Sequence, residues 1–255
     1  MVHFVGAGPG APDLITLRGA KLLGEAGQVI YAGSLVNPEL LTYARPGVPC
    51  HDSASLTLEE VLALMEKGEE KGWDTVRLHT GDPSLYGAVR EQMDALRERH
   101  IPFDVTPGVS SFSGAAAAIP AEYTLPGVSQ TVILTRMPGR TPVPEGEDLS
   151  ALAAHGASMA LFLSTGMAGE AARHLLAGGA YRPDTPAAIV YKATWPEEKV
   201  YPCTLATLGE TAEKEQITRT ALILVGDFLG EEYRRSDLYN PAFSHGYRRG
   251  KEDPR

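Results

Sequence analysis

Three glycine-bearing bends carry the residues best suited to hold a small ligand: Gly6-Ala7-Gly8-Pro9-Gly10-Ala11, Thr80-Gly81-Asp82-Pro83-Ser84, and Thr106-Pro107-Gly108-Val109-Ser110-Ser111. Each follows a short β-prone run, which places it at the carboxyl end of a strand, the edge where open α/β sheets bind ligands. Glycine lets a ligand come close to the backbone, and Asp82 could accept hydrogen bonds from a ribose, an amine or neighbouring amides. Gly-Asp-Pro is equally an ordinary strand-to-helix turn. Gly6, Gly8 and Ala11 satisfy the dinucleotide pattern G-x-G-x-x-G/A, but that pattern needs a helix to open at once. Here Pro9, Pro12 and Asp13 interrupt the backbone, and the next good helix start is Thr16, leading Leu17, Ala20 and Leu23. The second strand also runs into Ala32-Gly33, where a dinucleotide site wants an acid for the ribose. The seven histidines have no metal-ligand spacing, so no metal is expected. Cys50 and Cys203 are read as reduced core residues rather than a disulfide.

The elements that must position these bends alternate strand and helix. Strands are predicted at Val2–Val5, Gln28–Tyr31, Val48–His51, Asp74–Thr80 and Ile101–Val105, then at Val132–Leu134, Met159–Leu163, Ala187–Tyr191, Lys199–Cys203 and Ala221–Val225. The run Leu85, Val89, Met93, Leu96 predicts a helix opening directly after the Gly81 bend and ending near Arg99. Leu58, Val61, Leu62 and Met65 give another helix one apolar face, and Phe112–Ala118 reads as a small-residue helix. About five strands per half imply two α/β lobes of roughly 120 residues each. The expected boundaries are 1–118, a proline-bearing linker 119–127, 128–235, and a polar tail 236–255 that includes Arg248, Arg249 and Lys251. A chain of 255 residues with 43% hydrophobic and 22% charged content is ordinary for a globular protein. Its net charge of −9 argues against broad nucleic-acid binding. No apolar run reaches the roughly 18 residues that cross a bilayer, and the start lacks a leader pattern, so a cytoplasmic protein is expected.

Taken together, Val5-Gly6-Ala7-Gly8-Pro9-Gly10 with Pro12-Asp13-Leu14-Ile15-Thr16-Leu17-Arg18-Gly19, Leu78-His79-Thr80-Gly81-Asp82-Pro83, and Thr106-Pro107-Gly108-Val109-Ser110-Ser111 resemble the tetrapyrrole methylases that use S-adenosylmethionine. Within that family, the blocks 31–36, 124–136 and 190–198 most resemble the precorrin-4 C11-methyltransferases of cobalamin synthesis. The likeness spans nearly all of residues 1–235. It implies a kidney-shaped, two-lobed α/β protein, a homodimer, with the methyl donor in a ligand cleft between the lobes. Carried over by position, the donor site would use Pro9, Thr80, Gly81, Asp82, Leu85, Tyr86, Ser110 and Ser111, with Ser164 and Ala193 from the second half. Tyr86 and Tyr191 could also stack on a flat macrocycle or pack in a core. The uroporphyrinogen branch carries an acid after the tyrosine of the second strand; Ala32 stands there in this chain. The resemblance implies no catalytic side chain, only alignment of donor and acceptor. A polycarboxylate tetrapyrrole would need local cations, for which Arg90, Arg136, Arg140 and Lys192 are candidates. Methylation of another precorrin carbon or of a different acceptor, and a dinucleotide-dependent oxidoreductase built on Gly6–Ala11, remain the alternatives.

Overall fold

A computed structural model describes residues 1–250, and chain contacts divide the protein into two units. The first comprises Met1–Ala115 with Lys192–Lys199; the second comprises Ala116–Tyr191 and residues from Val200 onward.

The first unit is built on a five-stranded sheet of β1 (Val2–Gly6), β2 (Gln28–Tyr31), β3 (Cys50–Asp52), β4 (Thr75–His79) and β5 (Phe103–Thr106), in the order β3-β2-β4-β1-β5. Every pairing in it is parallel, so every loop leaving a strand emerges at the same edge. β1 lies between β4 and β5, with Gly6 opposite His79 and Val5 opposite Thr106. Three bends that are well separated in sequence therefore become neighbours.

Residue alternation assigns the two faces of the sheet. Val5, Val29, Val76 and Leu78 pack with Leu23 of α1 (Leu17–Glu25) and with Leu40. Val2, Phe4 and Ile30 pack with Val61, Leu62 and Met65 of α2 (Leu58–Glu70) and Leu96 of α3 (Arg90–Glu98). Burying each such large aliphatic side chain stabilises the unit by about 1.5–3 kcal/mol. The Thr16 hydroxyl caps α1, and Thr57 with Glu60 forms a reciprocal capping box on α2. The small-residue helix, α4, spans Ser111–Ala118.

Three local expectations are corrected. The helix after the Gly81 bend begins at Arg90, not at Leu85. Tyr86 (φ 56°) and Ala88 (φ 48°) adopt the left-handed region, and Gly87 sits so close to the Pro83 carbonyl that a Cβ there would lie 2.2 Å from it. A right-handed helix cannot run through that stretch. The third strand is Cys50–Asp52 rather than Val48–His51, and it is one of the two edges of the sheet. Cys50 is consequently exposed and not a core residue, whereas Cys203 is half-buried against the core of the second unit; both thiols are free.

The second unit holds β6 (Val132–Arg136), β7 (Ser158–Phe162), β8 (Pro186–Tyr191), β9 (Lys199–Thr204) and β10 (Ala221–Val225), in the order β6-β7-β10-β8-β9. β6 and β7 are parallel, while β10 runs antiparallel to both its neighbours. Leu149 of α5 (Leu149–Ala153), Leu175 of α6 (Ala168–Ala177) and Leu208 of α7 (Leu208–Lys214) share a core with Met159, Leu161, Ile189 and Ile223. Tyr191 packs against this core. Among the described residues no helix is long and apolar enough to cross a membrane. In the polar tail the Arg248 guanidinium donates to the Leu238 and Asn240 carbonyls, each at 2.7 Å; Lys251 lies outside the described residues.

Candidate functional site

The three bends meet backbone to backbone. Gly8 and Gly81 form an antiparallel bridge, with the Gly81 amide donating to the Gly8 carbonyl at 2.8 Å and the Gly8 amide to the Gly81 carbonyl at 3.3 Å. Gly108 closes the group: a Cβ on it would lie 2.2 Å from the Gly81 oxygen, and one on Gly6 would lie 2.5 Å from the Gly108 Cα. No side chain fits at either position. Gly81 itself has φ +61°, so its bend also needs glycine for its conformation.

Asp82 locks this arrangement. One carboxylate oxygen accepts from the Ser84 amide at 2.8 Å and from the Ser84 hydroxyl, and the other accepts from the Gly108 amide at 2.8 Å. Partial burial would raise the Asp82 pKa, but the hydrogen bonds from Ser84 and Gly108 outweigh it and hold the carboxyl below its ordinary value. Of the partners the sequence leaves open to Asp82, the structure supplies the neighbouring amides. The side chain thus positions one bend against another.

The first bend is fixed from three sides. Asn37 donates to the Gly10 carbonyl at 2.9 Å, the Trp195 indole N–H donates to the Pro9 carbonyl at 3.1 Å, and the Ala11 amide donates to the Thr194 hydroxyl at 3.0 Å. Pro9 is buried, and its ring lies against Gly114 of α4. With the Ala11 amide so engaged and α1 delayed to Leu17, this bend does not present a helix N-terminus to a pyrophosphate, which removes the basis of the dinucleotide alternative.

The remaining candidates fall into two groups. Thr80 donates its hydroxyl to the Leu35 carbonyl at 3.3 Å, Ser110 is buried at the start of α4, and Ser111 opens that helix. Leu85 is half-buried and Tyr86 is 46% exposed, both on the stretch between the Gly81 bend and α3. Ala193 is buried beside Thr194 in the first unit. Ser164, in the second unit, is fully buried: its hydroxyl donates to the Phe162 carbonyl at 2.6 Å and accepts from the Met137 amide at 2.8 Å, tying the ends of β6 and β7.

The candidate cations are mostly engaged close to home. Arg136 folds back to donate to the Met137, Thr141 and Pro142 carbonyls, and Arg140 is exposed on the same loop. Lys192 pairs with Glu197 at 3.2 Å and lies 5.3 Å above the Trp195 ring, while Arg90 pairs with Asp94 at 2.8 Å on the exposed face of α3. Sequence reasoning missed a different pair, Arg77 and His79, both buried on β4. Their signal was the polar residue at every second position, Thr75, Arg77 and His79, of a strand whose other residues are apolar.

A parallel sheet whose loops pinch together at one edge through glycines, followed by a mixed five-stranded sheet, is the architecture of a known enzyme class. The chain belongs to the tetrapyrrole methylases: the family model "Tetrapyrrole (Corrin/Porphyrin) Methylases" matches residues 1–209. It is 49% identical over 249 residues to the cobalt-precorrin-4 C(11)-methyltransferase of Methanocaldococcus jannaschii, covering 97% of this chain and 96% of that one. Among solved structures it resembles a cobalamin biosynthetic enzyme, cobalt precorrin-4 methyltransferase, with TM-score 0.88 and 44% identity over 90% of this chain and 96% of that one. It also resembles uroporphyrin-III C-methyltransferase from Thermus thermophilus complexed with S-adenosylhomocysteine, with TM-score 0.74 and 26% identity over 90% and 93% of the two chains.

Proposed function

We propose that this protein is an S-adenosylmethionine-dependent methyltransferase of cobalamin synthesis that methylates C11 of precorrin-4 or cobalt-precorrin-4. The observation that carries this reading is the 49% identity to an enzyme of that name over nearly the full length of both chains. The bends fit such a donor chemically. Their polar groups are amides, carbonyls and the hydroxyls of half-buried Thr80 and Ser111 and of buried Ser110, the kinds of partner that a nucleoside and an amino-acid moiety require. The donor, when bound, supplies a sulfonium methyl that is already activated toward an electron-rich ring carbon.

The task left to the chain is to align and to exclude water. Backbone contacts at Gly6, Gly81 and Gly108, locked by Asp82, hold the bends in one geometry before any ligand arrives. Alignment of this kind can lower a barrier by about 7–11 kcal/mol without an acid or base. Pro9, Thr80, Gly81, Leu85, Tyr86, Ser110, Ser111, Ser164 and Ala193 form the proposed donor-contact set, with Asp82 as its positioning residue. Arg140, exposed on its loop, is the candidate cation with the most freedom to meet a substrate carboxylate. The working protein is proposed to be a cytoplasmic homodimer, and sedimentation equilibrium at about the mass of one chain would overturn the dimer.

Calorimetric titration with S-adenosylhomocysteine tests the donor site. Micromolar binding is expected, with loss of at least tenfold in affinity in Gly81→Trp and Asp82→Ala. Absence of binding to the native protein would remove the reading. The product's mass and carbon NMR spectrum would show whether the methyl sits on C11.

A further inference from the structure

A cavity of about 260 Å³ opens beside the bends, over the carboxyl ends of β2 and β4 and between α2 and α3. Ala32, Leu35 and Val61 line part of it, and Arg77, His79 and Gln92 supply its polar wall. Arg77 is 6% exposed and His79 5% exposed. Arg77 donates to the Gln92 amide oxygen at 3.2 Å and to the Ile30 carbonyl at 3.5 Å, both neutral groups. No carboxylate lies within ion-pairing distance of it among the described residues; Glu91, the one acid of the lining, is exposed. The Nε2 of His79 is buried with no hydrogen-bond partner.

A buried guanidinium without a counter-ion and a buried imidazole nitrogen without a partner are both costly, and they share one cavity wall. Burial, and secondarily the Arg77 charge, push the His79 pKa down to about 3, so the ring is neutral at physiological pH. An entering carboxylate would answer both deficits. It would pair with the guanidinium and, by its charge, favour a proton on His79, whose ring could then donate to it. Such volume admits a carboxymethyl or carboxyethyl arm, which displaces only a few waters of about 30 Å³ each.

We propose that this cavity is a carboxylate receptor in which Arg77 and His79 grip one acidic arm of the tetrapyrrole substrate. The proposal rests on the methyltransferase reading for the identity of the substrate, but the receptor itself is testable without turnover. Acetate, titrated into the native protein against sodium chloride of equal ionic strength, is expected to shift the His79 ring signals in ¹H–¹³C NMR, and to leave them unmoved in Arg77→Gln. No acetate-specific shift in the native protein, or an equal shift in Arg77→Gln, would overturn it. In steady-state assays Arg77→Gln and His79→Gln are expected to raise KM for the tetrapyrrole at least tenfold, to change kcat less than threefold, and to leave S-adenosylhomocysteine affinity intact, with Arg77→Lys recovering part of KM. Unchanged KM in His79→Gln and Arg77→Gln, both still binding S-adenosylhomocysteine, would also overturn it. If the native protein instead fails to bind S-adenosylhomocysteine while acetate still moves His79, the methyltransferase reading falls and the receptor stands.

Discussion

At the scale of single residues, β4 and the bend that follows it carry opposite electrostatic devices within a few positions. Asp82 is an anion satisfied by amides, whereas Arg77 and His79 are a cation and a latent cation held away from water. The pH consequence follows from His79. Its pKa in the folded protein lies near 3 and in the unfolded chain near 6.5, so below pH 6.5 the unfolded chain binds the extra proton. The stability associated with neutral His79 is therefore complete above pH 6.5 and falls as pH drops toward 3, by at most about 1.4 kcal/mol per pH unit. His79→Gln removes that slope, and urea denaturation at a series of pH values should show a flatter profile between pH 6 and 4. An unchanged slope would mean that His79 is already charged in the fold. The Asp82 contribution works in the same direction at lower pH: its depressed pKa makes its hydrogen bonds present above the ordinary carboxylate range and lost as pH falls through the folded value.

At the scale of elements, the close approach of the bends predicts that their glycines resist substitution more than helix caps do. Gly108→Ala forces a Cβ into the Gly81 carbonyl and should destabilise the protein by about 1–3 kcal/mol while weakening S-adenosylhomocysteine binding. Thr57→Ala, which removes half of the α2 capping box, should cost about 1 kcal/mol and leave that binding unchanged. Paired thermal melts and titrations separate the two outcomes. Most elements were legible because their signals are local: Thr16 announces α1, the apolar face of Leu58, Val61, Leu62 and Met65 announces α2, and Val2–Val5 and Ala221–Val225 read as buried strands. The start of α3 was not, because the left-handed conformations of Tyr86 and Ala88 come from the packing of Gly87 on Pro83, which no periodicity reports. The polar rank on β4 is hidden for a related reason: Thr75, Val76 and Leu78 suffice to mark the strand, and nothing local shows that the face carrying Arg77 and His79 is buried. Thr194 is a further strained position, a β-branched residue at φ 69° whose hydroxyl accepts from Ala11 and whose amide donates to Glu198 at 2.6 Å.

At the scale of the whole molecule, sequence pattern supports five strands per half but gives no sign that residues 192–199 leave the second unit for the first. Thr194 and Trp195 join that segment to the Pro9–Ala11 bend by hydrogen bonds that only tertiary structure brings about. The family signature was readable at the bends because the same glycines serve both backbone approach and motif. The cations were less readable, because an exposed arginine and one stapled to its own loop look alike in a string of letters. The excursion of 192–199 also bears on how the protein is made. During synthesis the opening strand and its glycine bend leave the ribosome long before Trp195 exists, so the amino-terminal portion must wait, with the Pro9 carbonyl lacking its indole, until most of the polypeptide has emerged. A fragment ending at residue 118 would remain at that unfinished stage, because the indole that closes the bend is encoded beyond the first stretch of the second unit.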